Sequence, residues 1–118
     1  MGKNNERLFD NYFSEENKEY NRLVSIFMEI NEYYDFRTSK SDLIKNRVEK
    51  LFSGTNNLLA QLDKKTEQGK AIFGGKNQEE YLNYVKVLCA SIKRLINSQN
   101  IQEAIQYVYG EEASKYKI

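Results

Sequence analysis

Histidine, proline and tryptophan are absent from all 118 residues, and cysteine occurs once, as Cys89. Without histidine the chain lacks the commonest general base, the commonest metal ligand and the usual switch near neutral pH. Without proline, nothing in the chain forces a helix to stop. A lone cysteine cannot close an internal disulfide, which suits a reducing compartment. No run approaches 18 apolar residues, and no signal-peptide core follows the N-terminus. The expectation is therefore a cytoplasmic protein with no membrane association. Glu6 stands where a myristoylation signal wants serine or threonine.

What is present describes an ordinary globular chain. Hydrophobic residues make up 40% and charged residues 30%, with a formal net charge of +1 and a mean hydropathy of −0.76. The length fits one domain, 1–118, large enough for a core without staples. There are 13 lysines to 5 arginines, and 13 asparagines. Lysine and asparagine have A/T-rich codons, which hints at an AT-rich bacterial or phage genome.

Apolar spacing throughout follows the helical period. A short amphipathic helix is expected over 4–13, where Leu8/Tyr12 and Phe9/Phe13 are i,i+4 pairs. Ser14 reads as an N-cap with Glu15 and Glu16 in the first turn, opening a helix to about Asp35. Ser39 and Asp42 resemble a capping box for the next helix. There Ile44, Val48, Leu51, Leu58 and Leu62, with Thr55 in register, keep one stripe straight through Gly54. One helix over 40–68 is favoured over two broken at that glycine. Gly69–Lys76 reads as a loop. Asn77/Glu80 and Asn100/Glu103 cap two further helices, to about Ser98 and Gly110, and 111–118 is expected to be a flexible tail. The fold class is all-α: a small antiparallel bundle of three long helices plus short terminal ones, with Phe27, Leu51 and Leu88 as core anchors.

No motif for catalysis, cofactor or metal survives inspection. Gly69-Lys-Ala-Ile-Phe-Gly-Gly-Lys76 resembles a phosphate loop, but Gly75 stands where lysine is needed and no strand precedes it. Glu29 and Glu32 share a helix face, yet a di-iron bundle needs Glu-x-x-His. Cys89 lies beside an apolar stripe with no histidine to activate it. The chain is not expected to be an enzyme.

Charge and tyrosine carry the positive signals. Residues 1–36 have a net charge of −4 and residues 37–76 a net +5. Arg47, Lys50, Lys64 and Lys65 line one flank of the 40–68 stripe, with Lys70 and Lys76 just beyond. These cations either form a rim against the acidic first long helix or meet an acidic partner or nucleic-acid phosphates. Tyr33/Tyr34, Tyr81/Tyr84 and Tyr107/Tyr109 come in close pairs, and tyrosine is enriched at interfaces. On the 15–36 helix a second apolar seam, Ile26, Ile30 and Tyr33, widens the arc beyond the roughly 100° a surface helix needs. Either the helix is central or this seam docks another chain.

The expected function is a non-enzymatic helical binding protein acting through protein–protein contacts, with a homodimer as one option. Small size and AT-rich, proline-free composition suit an inhibitor, immunity or accessory regulator of a mobile element or phage, such as one that blocks a host defence complex. The alternative is a nucleic-acid-associated subunit using the basic strip.

Overall fold

The computed structural model describes residues 2–36, 41–73 and 77–118, with side chains from Arg7 onward. Five α-helices follow one another: α1 Gly2–Tyr12, α2 Ser14–Phe36, α3 Ser41–Ile72, α4 Gln78–Asn97 and α5 Gln99–Tyr109. A 3₁₀ segment, Gly110–Tyr116, closes the chain. No strand occurs among the described residues. The fold is an all-α helical bundle.

α3 is the spine. Its 32 residues span about 48 Å at 1.5 Å per residue, nearly the full long axis of a 53 × 23 × 19 Å molecule. It stays continuous through Gly54 because the glycine is a packing device. A Cβ there would sit 2.6 Å from Leu23 Cδ2, so the missing side chain lets α2 close onto α3. Glu29 pairs with Arg47 and Glu16 with Lys65, which sets the two helices antiparallel along their length.

The expected loop at Gly69–Lys76 is corrected at its start. Helix α3 runs on to Ile72, with Phe73 N bonded to Gly69 O at 2.8 Å. Gly69 is inside the helix because the Tyr81 ring lies against it, with Cζ 2.6 Å from where a Cβ would be. Gly74, Gly75 and Lys76, like the expected cap at Ser39, lie outside the described residues. At the first junction the helical pattern passes through Phe13, whose N–H donates to Phe9 O while its carbonyl accepts from Asn17 N. Ser14 therefore begins α2 without having to cap it.

Asn77 holds the N-cap position of α4, although its side chain does not bond to the first turn. Extended Ser98, not Asn100, holds the N-cap position of α5, without a side-chain bond to its first turn, and the helix ends at Gly110 with φ 57°, a conformation that favours glycine. The segment after Gly110 packs back onto the bundle. Ala113 is buried, and Tyr116 stacks on Tyr109 and meets Phe52 edge-on. Gln102 Nε2 donates to Tyr116 O, and the Asn97 side chain both donates to Ile118 O and accepts from Ile118 N.

The core draws on every helix, with Phe9, Phe13, Leu23, Ile30, Ile44, Leu51, Leu58, Leu62, Tyr81, Ile92, Ile96 and Ile101 almost wholly enclosed. Leu51 and Leu88 are core residues as expected, whereas Phe27 is only half-buried at the margin.

Candidate interaction surfaces

The second seam of α2 is consumed inside the chain. Ile26 and Ile30 are buried in the chain's own core, so α2 needs its wide apolar arc because α3 flanks it on one side and α4 and α5 on the other. Only Tyr33 of that seam reaches the surface. It is half-buried, and its hydroxyl donates to Glu29 Oε2 at 3.4 Å. Arg47 Nε donates to the same oxygen at 2.7 Å. That bond, with smaller help from Tyr33 and Lys50, holds the Glu29 carboxyl below its ordinary range.

The basic strip divides in two. Arg47 is tied to Glu29, and Lys65 to Glu16, a carboxylate only 2% exposed. Lys65 Nζ donates to Glu16 Oε1 at 3.1 Å and Gln61 Nε2 to Oε2 at 3.1 Å. The ammonium also lies 4.8 Å from the Tyr12 ring centre and 5.7 Å from that of Phe13. Lys50 and Lys64 stay exposed. Half of the strip is thus the rim joining basic α3 to acidic α2. Beside it, a groove of about 460 Å³ runs between the two helices, walled by Glu15, Glu19, Arg22, Lys50, Asn57 and Gln61 over Gly54 and Leu58. Its walls carry both signs, and Arg22 already pairs with Glu19.

Most tyrosines work within the fold. Tyr81 is fully buried in a six-ring cluster with Phe9, Tyr12, Phe13, Phe73 and Tyr84. Its hydroxyl donates to Thr66 O at 3.0 Å, and Tyr12 donates to Lys65 O at 3.3 Å. Tyr84 donates to Asp10 and accepts from Asn17. At the other end Tyr34 meets Tyr107, and Tyr109 donates to Lys45 O. Burial raises the Tyr109 hydroxyl well above its usual range. Burial likewise raises the Cys89 thiol, outweighing the nearby charge of Lys93.

Two surfaces lie outside both the α2 seam and the basic strip. Phe36 (63% exposed) and Leu43 (39%) flank the α2–α3 connection. By helical periodicity Phe36 lies about 60° from Tyr33, on the side of the Glu29–Arg47 pair. Separately, residues 81–102 hold Lys86, Lys93 and Arg94 and no acid. In α4 all three cations are exposed, around exposed Val87 and Ala90. The signal was in the sequence, but a charge count over the whole C-terminal third averages it against Glu79, Glu80 and Glu103. Among the described residues no group of His, Cys, Asp and Glu could hold a metal, and no helix is long and apolar enough to cross a membrane.

No protein-family model, no curated protein and no solved structure matches this chain.

Proposed function

We propose that the chain is a small helical binding protein that acts by docking on another protein, with no chemistry of its own. The observation that carries this reading is the exposed pair Phe36 and Leu43 at the α2–α3 end. Half-buried Tyr33 and the Glu29–Arg47 pair lie at its edge. An apolar centre with a charged rim is the anatomy of a protein contact, and aromatic and arginine side chains carry most of the energy in such contacts. Size and composition extend the proposal to a class: an inhibitor, immunity or accessory regulator of a phage or mobile element, working in the bacterial cytoplasm against a host complex. A nucleic-acid role for the basic strip is left with Lys50 and Lys64 as exposed cations, since Arg47 and Lys65 are held by α2.

The test is affinity capture from a host lysate treated with nuclease, run in parallel with wild type and Phe36→Asp/Leu43→Asp. A protein retained by the wild type and lost by the variant, with melting temperatures equal, supports the proposal. Equal capture by both, or capture that vanishes with nuclease, overturns it.

A further inference from the structure

We draw no further inference here: the strongest candidate, the outer face of α4 on which exposed Lys86, Lys93 and Arg94 surround Val87 and Ala90, is an unpartnered helix face, and nothing in the structure shows what covers it.

Discussion

Replacing Lys65 with methionine isolates Glu16, the one buried charge among the described residues. Methionine keeps an unbranched stem against the Tyr12 and Phe13 rings but removes the ammonium that lies 3.1 Å from Glu16. Glu16, 2% exposed, is then left with a single neutral donor, Gln61 Nε2. Stranding a buried charge costs about 3–5 kcal/mol, and the lost contact with two ring faces adds about 0.5–1. Because the Lys65 side chain is itself 26% exposed, water reaches the site and the expected loss is about 2–4 kcal/mol. Glu16→Gln should cost less, since the lysine left behind can turn outward. The double variant Glu16→Gln/Lys65→Met leaves no stranded charge and should be more stable than Lys65→Met alone. Urea unfolding of the four proteins, with equal m-values, measures the cycle as a coupling of about 1–3 kcal/mol. A cost below about 1 kcal/mol for Lys65→Met, or strict additivity, would refute the assignment of Lys65 to the interior and return it to the free basic strip.

Gly69→Ala should destabilise more than Gly54→Ala. The first meets the buried Tyr81 ring, which is also fixed by its bond to Thr66 O, and should cost about 2–3 kcal/mol; the second meets one leucine methyl, and its overpacking is offset by about 1 kcal/mol of helix propensity. Thermal melts of the pair decide the order. Thr55 Oγ1 is buried without a hydrogen-bond partner, so Thr55→Val should stabilise by about 1 kcal/mol and raise the melting temperature by about 4 °C. Because Arg47 holds the Glu29 carboxyl below its ordinary range, the stability it contributes is present above the unfolded glutamate pKa and is lost as pH falls through the folded value. Stability below about pH 4.3 should therefore fall less steeply in Glu29→Gln than in wild type, by an amount kept small by the exposure of the pair.

Helix existence was legible because periodicity is a property of local spacing. The stripe Ile44–Val48–Leu51–Leu58–Leu62 kept register across Gly54, and that alone outweighed the glycine. The same reasoning failed at Gly69, where three glycines nearby suggested a break. The deciding partner, Tyr81, comes from another helix, and no local pattern announces a ring that needs the space. The packing of the tail was not legible either, since Tyr116 is held by Gln102, Phe52 and Tyr109 rather than by any stripe of its own. The wide arc of α2 was readable from Ile26 and Ile30. What covers it is a matter of tertiary topology, and it proved to be the chain itself. The charge division between α2 and α3 was readable too, and two of its cations resolve into Glu29–Arg47 and Glu16–Lys65.

The aromatic rings gather at opposite ends of a long molecule, one group joining α1 to the start of α4 and the other joining the 3₁₀ segment to α3 and α5. Between them only α2 and α3 run the full distance, zipped at Gly54. Each end can therefore open without dragging the other with it. Amide hydrogen exchange should resolve α1 and the 3₁₀ segment as two separate opening units of low free energy, while the amides around Leu58 exchange only when the whole protein unfolds.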